Sequence, residues 1–370
     1  MRLRFFSILF ALLLALSAHA EGAFDGGDLH SLAVQNDGSV WSWGLNYAGA
    51  LGDNSPNTRP NPSAVAKLEN VSAVSGGRAF AVALKTDGTV WAWGHNYFGQ
   101  LGDGTTDNRS TPVQVKNLTD VKAISCGGSF VLALKNDGSV WGWGNNAYGQ
   151  LGDGTIIDRS TPVQAKGLTG ATQIAAGWYH SLAVKSDGST WSWGKNVDGQ
   201  LGDGTTKDKS TPLAVKGLTS VSQVAAGWGH SLACKTDGTV WSWGGNGTGA
   251  LGDGTLTSRN APVQVQNLED ISRLAAGHWH SLALSKDGRV WSWGSNGSSQ
   301  LGDGTTQDRS TPALVQGLTG AREIAAGNWH SLASKTDGTL WAWGNNTTGQ
   351  LGDGTTTTRS APVVVKDVQQ

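Results

Sequence analysis

A His-Ser pair recurs along the chain and contains the residue types of a nucleophilic hydrolase. The pair begins at His30, His180, His230, His280 and His330. Catalysis by such residues needs one histidine, one nucleophile and one orienting group held together. Two further copies of the same segment have Phe80 and Phe130 in place of the histidine. A residue that is repeated and replaceable by phenylalanine is better interpreted as a packing residue with a polar tip.

A Leu-Gly-Asp segment also recurs, and its carboxylates could in principle bind calcium. The aspartates are Asp53, Asp103, Asp153, Asp203, Asp253, Asp303 and Asp353. A calcium loop supplies oxygen ligands at alternating positions, which Asp103 and Asp107 alone do not provide. We predict instead an Asx-turn, paired with the basic residue six positions later. The segment Gly247-x-Gly249-x-x-Gly252 matches a dinucleotide fingerprint but does not join a strand to a helix. The sequence therefore predicts no catalytic residues, no metal and no cofactor.

These residues lie in a repeat organised around Trp-x-Trp-Gly, which begins at Trp41 and returns every fifty residues in seven copies. A fixed period of this length indicates a solenoid or a propeller. The fourth unit contains four short strand patterns, over residues 171–177, 181–185, 189–193 and 211–215. Asp-Gly between the second and third patterns predicts a tight hairpin in which both residues have positive φ.

The side-chain pattern assigns each strand a place in the sheet. Both tryptophans of a pair face the same side of the third strand, and we expect all fourteen in the core. The proline that opens the fourth strand, such as Pro212, predicts an outer edge. The first strand ends in small residues, which fit beside the central axis where the seven blades converge. We predict an all-β, seven-bladed β-propeller with four antiparallel strands per blade and a 50-residue repeat.

The segment Gly-x-x-His-Ser-Leu-Ala, Asp-Gly, Trp-x-Trp-Gly-x-Asn-x-x-Gly-Gln-Leu-Gly, best seen over residues 177–202, resembles the regulator of chromosome condensation repeat family. The resemblance implies a seven-bladed β-propeller. Known members include a nuclear exchange factor for a small GTPase, a plant UV-B photoreceptor with Gly-Trp-Arg-His segments, and a secreted β-lactamase inhibitor. The inhibitor binds its target through aromatic residues on one propeller face, so it is the closest functional analogy.

The N-terminal segment, the net charge and the cysteines bear on where the protein is located and on its class of partner. Residues 1–20 combine Arg2 and Arg4 with an apolar run and Ala18-His19-Ala20, which predicts a cleaved secretory signal peptide. The propeller domain would cover residues 21–370, in a secreted or periplasmic protein without membrane insertion. A formal net charge of −1 gives no basic surface for nucleic acid. Cys126 and Cys234 occupy different repeat positions two blades apart, so we expect two buried thiols.

The candidate binding residues are the aromatic and histidine side chains at positions where the seven copies differ. Strand direction places the loop after the first strand and the loop after the third strand on one face. These loops supply Trp178, Tyr179, Trp228, His278, Trp279, Trp329, Tyr47, Tyr97, Phe98 and Tyr148. Aromatic residues with few charges between them have the composition of an interface. The alternative is that Trp178, Trp228, Trp279 and Trp329 plug the mouth of the central channel.

These features favour a non-catalytic propeller that captures a protein or peptide. A carbohydrate-binding propeller is an alternative that the exposed tryptophans allow equally. A lyase or hydrolase centred on the channel is a second alternative, although it would need catalytic residues that are not repeated. Exchange-factor activity follows from the resemblance alone. We expect the domain to be a monomer.

Overall fold

The computed structural model describes residues 22–369. Each repeat unit forms one four-stranded antiparallel sheet, and the seven sheets are the blades of a β-propeller, which confirms the predicted fold. The inner strands are β1 Phe24–Gly26, β5 Val71–Gly76, β9 Val121–Cys126, β13 Ala171–Ala176, β17 Val221–Ala226, β21 Ile271–Ala276 and β25 Ala321–Ala326. The second strands are β2 His30–Val34, β6 Phe80–Lys85, β10 Phe130–Lys135, β14 His180–Lys185, β18 His230–Lys235, β22 His280–Ser285 and β26 His330–Lys335.

The third and outer strands complete each blade. The third strands are β3 Val40–Gly44, β7 Val90–Gly94, β11 Val140–Gly144, β15 Thr190–Gly194, β19 Val240–Gly244, β23 Val290–Gly294 and β27 Thr339–Gly344. The outer strands are β4 Arg59–Ala64, β8 Arg109–Gln114, β12 Arg159–Gln164, β16 Lys209–Ala214, β20 Arg259–Gln264, β24 Arg309–Leu314 and β28 Arg359–Gln369. One short 3-10 helix, Tyr47–Gly49, follows β3. The predicted signal peptide lies outside the described residues.

The hairpin between the second and third strands is confirmed, but its predicted turn type is wrong. In the fourth blade, Gly188 N donates to Lys185 O over 2.9 Å, so the central residues of the turn are Ser186 and Asp187. Gly188 follows them with a φ of +75°. This is a type I turn closed by a left-handed glycine, in which the aspartate keeps a negative φ. The Asp187 carboxylate instead accepts a hydrogen bond from Ser189 N at 2.9 Å.

The outer strand begins before its proline, contrary to the prediction. Strand β16 starts at Lys209, which pairs with Gly194, and the register then shifts before Ser192 pairs with Leu213. Pro212 lies within this irregular part, on the strand that has no further neighbour in its sheet. Its missing N–H therefore removes no ladder hydrogen bond. The proline marks the outer strand correctly but not its first residue.

The core lies between the blades, and the two tryptophans of a pair contribute to it unequally. Trp243 is fully buried against Leu182 and Val184 of the preceding blade, and its indole N–H donates to Gln200 O over 2.9 Å. Trp241 packs at the edge of the same cluster and is only half-buried. The expectation that both tryptophans fill the core is therefore wrong for the first of each pair.

The ring closes without exchange of strands between the two ends of the chain. The first blade contains β1 to β4 and the last contains β25 to β28, each in sequence order. Phe24 and Trp43 of the first blade form a buried cluster with Leu332 and Leu351 of the last. Trp43 donates its indole N–H to Gln350 O over 2.9 Å, as the matching tryptophans do at other junctions. The closing junction is thus built from the same contacts as the rest of the ring.

The two cysteines differ in burial. Cys234 is 1% exposed and lies in an interblade core, as predicted. Cys126 ends the inner strand β9 and lines the central channel, where it is partly exposed, so its predicted burial is wrong. The last residues of the inner strands line the axis of the propeller, which contains a cavity of about 720 Å³. The two cysteines form no disulfide.

Candidate functional site

Four of the five repeated histidines join neighbouring blades, which agrees with the structural role predicted from the sequence. His180 Nε2 lies 2.9 Å from Ser231 Oγ of the next blade, and Ser231 donates its proton to Gln200 O over 2.8 Å. Because the serine proton is used there, the imidazole must donate through Nε2. Burial accounts for most of the lowering of the His180 pKa, to about 3. His180 is therefore a structural residue, because it is buried, neutral near pH 7 and hydrogen-bonded to a serine that itself bonds the backbone.

The Leu-Gly-Asp aspartates are also structural. Asp103 Oδ1 accepts a hydrogen bond from Thr105 N at 2.9 Å, which forms the predicted Asx-turn. Asp103 Oδ2 accepts two hydrogen bonds from Arg109, at 3.0 and 2.8 Å. The hydrogen bonds from Thr105 and Arg109 leave the pKa of Asp103 below its usual value in spite of the opposing effect of desolvation. Within residues 22–369, no group of three His, Cys, Asp or Glu side chains converges to hold a metal ion.

We call the propeller surface that carries the loops after the inner and third strands the loop face. The two sets of loops meet directly there, since Lys195 N donates to Tyr179 O over 3.0 Å. The third strand ends at Gly194 and the second strand starts at His180, so Tyr179 and Lys195 occupy adjacent loops. The alternating directions of the strands predicted that the loops carrying the candidate residues share one face. Their loops do lie on that face.

His278 is the centre of what we call the central aromatic cluster. Its ring lies 5.2 Å from Trp178, 5.5 Å from Trp228, 5.3 Å from Trp279 and 5.1 Å from Trp329. These neighbours come from the fourth to the seventh blades, and all are partly exposed. Burial lowers the pKa of His278 to about 4, so the ring is neutral near pH 7.

Tyr148 and Tyr179 extend this cluster toward the third blade. Their rings lie 5.2 Å apart, and Tyr179 lies 6.3 Å from Trp178. Five of the pairwise contacts in the cluster have edge-to-face geometry, which is favourable for aromatic rings. The central aromatic cluster therefore contains seven of the ten candidate residues named from the sequence.

The remaining three candidates form a separate peripheral aromatic cluster. Tyr97 contacts Phe98 at 5.0 Å and His95 at 6.5 Å, and His95 contacts Tyr47 at 6.1 Å. Tyr47 and Tyr97 are 61% and 72% exposed. No ring contact joins the two clusters in the part of the chain that the structure describes. The sequence placed the ten residues on one face but did not show that they divide into two groups.

Some exposed residues of the loop face were not identified from the sequence. Ile156 and Ile157 follow strand β11 and are 66% and 60% exposed, and Leu256 is 62% exposed at the matching loop of the fifth blade. Other copies have Thr106 or Thr206 there. Comparing these loop positions between copies would have revealed the exposed apolar side chains. The basic residue Lys195, which contacts the central cluster, was also missed.

The central channel opens on the loop face beside the central aromatic cluster. Trp178, Trp228, His278 and Asn328 line its wall, while Trp279 and Trp329 contact His278 beside it. Asp25 is a buried carboxyl group of the channel wall, and burial raises its pKa to about 6. Its oxygens accept hydrogen bonds from Gly26 N at 2.8 Å, from Ser75 Oγ at 3.0 Å and from Gly76 N at 3.0 Å. Asp25 thus links two inner strands.

The sequence as a whole matches known propeller proteins. A family model described as an RCC1-like domain matches residues 16–323, and models of the regulator of chromosome condensation (RCC1) repeat match residues 321–350 and 337–370. The chain belongs to the RCC1-like domain family. This confirms the resemblance that the repeat motif suggested. A search among curated proteins found no match.

Solved structures of RCC1-like propellers are similar to this fold. Human WBSCR16 is 27% identical, with 89% of this chain and 94% of that chain covered and a TM-score of 0.80. Yeast RCC1 (Prp20), solved bound to Kap60, is 23% identical, with 91% and 85% covered and a TM-score of 0.79. Prp20p from Saccharomyces cerevisiae, described with its binding properties to Gsp1p and histones, is 23% identical, with 91% and 87% covered and a TM-score of 0.77. Among the described residues of this chain, no helix is long and apolar enough to cross a membrane.

Proposed function

We propose that this RCC1-like propeller is a secreted or periplasmic, non-catalytic binding protein that captures a protein partner on its loop face. The observation that carries the proposal is the central aromatic cluster, because it departs from the repeat. Trp178, Trp228, Trp279 and Trp329 occupy positions where the first three blades have other residues. The fold does not need these tryptophans, since the same loops form in all blades. Partly exposed tryptophans and tyrosines in one group are the side chains that dominate protein interfaces.

The surroundings of the cluster support a protein partner. Ile156, Ile157 and Leu256 add exposed apolar area on the same face. A protein interface of standard size buries about 800 Å² on each partner. Such an interface would extend beyond the central aromatic cluster to neighbouring side chains on this face. Yeast Prp20p provides a relative with protein partners, since its structure was described with binding to Gsp1p and histones. The extracytoplasmic location rests on the signal peptide predicted for residues 1–20.

The channel offers less support for an enzyme. Its buried carboxyl group, Asp25, has both oxygens engaged by hydrogen bonds from Gly26, Ser75 and Gly76. Four of the five buried histidines of the His-Ser pairs connect blades through a serine, as the His180–Ser231 hydrogen bond shows. Both groups are explained by their structural contacts, whereas the central aromatic cluster is not.

The test measures capture by residues 21–370 and by two matched variants. Trp228→Ala/Trp279→Ala removes two rings that lie 4.4 Å apart in the central cluster. Lys185→Glu reverses a charge on the opposite face, where Lys185 lies 5.3 Å from the ring of Trp191. Proteins retained from an extracytoplasmic extract by the wild type are identified, and their affinity for each variant is measured. We expect the tryptophan double variant to lose about 2 kcal/mol or more of binding free energy and Lys185→Glu to lose almost none.

The variants must keep the melting temperature of the wild type for this comparison to hold. A partner that binds the tryptophan double variant normally but responds to Lys185→Glu would place the interface on the opposite face and refute the proposal. A soluble glycan that competes for the face with the same dependence on Trp228 and Trp279 would favour the carbohydrate alternative.

A further inference from the structure

The ammonium group of Lys195 lies among three aromatic rings of the loop face. Lys195 Nζ is 5.3 Å from the ring centroid of Tyr148, 5.2 Å from Tyr179 and 5.0 Å from Trp228. Attraction between a cation and an aromatic face extends to about 6 Å, so all three rings contribute. We call Tyr148, Tyr179 and Trp228 the aromatic cage. The three rings come from three successive blades.

Lys195 differs from the other cations that lie over rings in the described chain, because each of the others contacts a single ring. On the opposite face, Lys235 contacts the single ring of Trp241 at 5.9 Å and also lies 3.6 Å from the Asp237 carboxylate. Within residues 22–369, Lys195 has no ion pair with a carboxylate. Its charge is therefore stabilised chiefly by the aromatic cage and by the water that reaches this partly buried side chain.

The fold does not require a lysine at this position. The matching residues are Leu45, His95, Asn145, Gly245, Ser295 and Asn345, and the same loop forms around each of them. The backbone contact is likewise independent of the side chain, since Lys195 N donates to Tyr179 O as Gly245 N does to Gly229 O. The loop therefore forms without the lysine side chain, whose ring contacts are with the aromatic cage.

Resting on the proposed function, we infer that the aromatic cage is a binding site for the lysine side chain of the protein partner. Lys195 occupies this site in the free protein and shows that an alkylammonium group fits it. The cage rings are supported from outside by Trp178, 6.3 Å from Tyr179, and by Trp279, 4.4 Å from Trp228. The flexible stem of Lys195 lets its ammonium group move into water when the partner's lysine enters.

The test uses n-butylammonium as the probe and n-butanol as its neutral counterpart, because the two differ only in the charged group. Binding is followed through tryptophan fluorescence and indole N–H chemical shifts at constant ionic strength. Lys195→Ala empties the cage of its own ammonium group. We expect this variant to bind n-butylammonium about tenfold more tightly than the wild type, because the tethered lysine no longer competes. n-Butanol should bind weakly to both proteins.

Matched variants separate the cage from other effects. Lys185→Ala removes a cation from one ring on the opposite face and should leave the affinity for n-butylammonium as in the wild type. Tyr179→Ala added to Lys195→Ala should reverse most of the gain. Lys195→Met keeps the stem without its charge and replaces Lys195→Ala if that variant unfolds.

Equal binding of the charged and neutral probes to Lys195→Ala would show an apolar cleft and overturn the inference. So would an affinity for n-butylammonium that does not change when Lys195 is replaced. Either result would refute the aromatic cage as a lysine-binding site. If partner capture still depended on Trp228 and Trp279, the proposed function would nevertheless remain supported.

Discussion

His330 Nε2 lies 2.8 Å from Ser31 Oγ, and this hydrogen bond joins the last blade to the first. Ser31 donates its own proton to Gln350 O over 2.8 Å, so His330 must be the donor in the pair. The same His-to-Ser contact joins the fourth blade to the fifth, the fifth to the sixth and the sixth to the seventh. The closing junction is therefore chemically ordinary, and its stability can be tested as at any other junction.

Ser31→Ala should destabilise the ring by about 1–3 kcal/mol, because it leaves the buried Nε2–H of His330 without an acceptor. The double variant Ser31→Ala/His330→Phe removes both partners, and Phe80 and Phe130 show that phenylalanine fits this place. We expect it to be more stable than Ser31→Ala alone. The measurement is urea unfolding followed by tryptophan fluorescence. A double variant less stable than both single variants would contradict this account.

Acidification should destabilise the folded protein. Burial, the main cause at each site, lowers the pKa of the five histidines of the His-Ser pairs from 6.5 to between about 3 and about 4. Their stabilising contribution is complete above pH 6.5 and is lost as the pH falls toward those values, because the unfolded chain binds protons first. At about pH 5, each histidine should reduce the free energy of unfolding by about 2 kcal/mol. Urea unfolding across this pH range measures the slope.

Asp25 acts in the opposite direction, because burial raises its pKa from 3.8 to about 6. Its contribution to the stability of the folded protein is present at low pH and is lost as the pH rises through about 6. Because one carboxyl group opposes five histidines, the net effect of acidification is still destabilising. His180→Phe provides the control and should reduce the dependence of stability on pH. An unchanged slope in this variant would mean that His180 is already protonated in the folded state.

The two tryptophans of one pair should differ in their contribution to stability. Trp243→Ala removes a fully buried ring and its hydrogen bond to Gln200 O, so we expect a loss of about 3–5 kcal/mol. Trp241 is half-buried, with Lys235 over its ring at 5.9 Å. Trp241→Ala should therefore lose less, about 1–2 kcal/mol. Equal losses in urea unfolding would show that the outer ring is as important to the core as the inner one.

The two thiols should react at different rates in the folded protein. Burial, the main cause, raises the pKa of Cys234 to about 11, so little of this thiol is ionised near pH 7. Cys126 lies on the channel wall and is partly exposed. We expect iodoacetamide to modify Cys126 first and Cys234 only after unfolding, as checked by mass spectrometry of peptides. Both thiols should react in denaturant without prior reduction. Faster modification of Cys234 would contradict the structure.

The repeat allowed the fold to be predicted because its signals are local and present in every copy. Asp187-Gly188 marks a hairpin from two residues, and Pro212 marks the outer strand. Burial was harder to predict, because the alternation of side chains along the strand places Trp241 and Trp243 on the same side without showing that only Trp243 is fully buried against the preceding blade. The packing of Lys195 against Trp228 depends on contacts between blades. Such contacts are set by the closed ring and leave no pattern in a single repeat.

Trp178 was expected from the sequence either to bind a partner or to plug the channel. Trp178 lines the channel wall and lies 5.2 Å from His278 of the sixth blade. Its indole also packs over Gly128 in the loop that follows β9, the strand that Cys126 ends. A plug at this place should limit access to Cys126 from the loop face. Trp178→Ala should therefore increase the rate of Cys126 alkylation by iodoacetamide several-fold.

The stability of the same variant separates a plug from a core residue. Trp178 is partly exposed, so Trp178→Ala should reduce the free energy of unfolding by about 1 kcal/mol or less. Trp329→Ala is the matched control, because Trp329 contacts His278 at 5.1 Å from beside the opening. It should leave the alkylation rate of Cys126 unchanged. Faster alkylation only in Trp178→Ala, at nearly constant stability, would mean that this ring covers the channel. An unchanged rate would show that reagents reach Cys126 by another route and that Trp178 does not act as a plug.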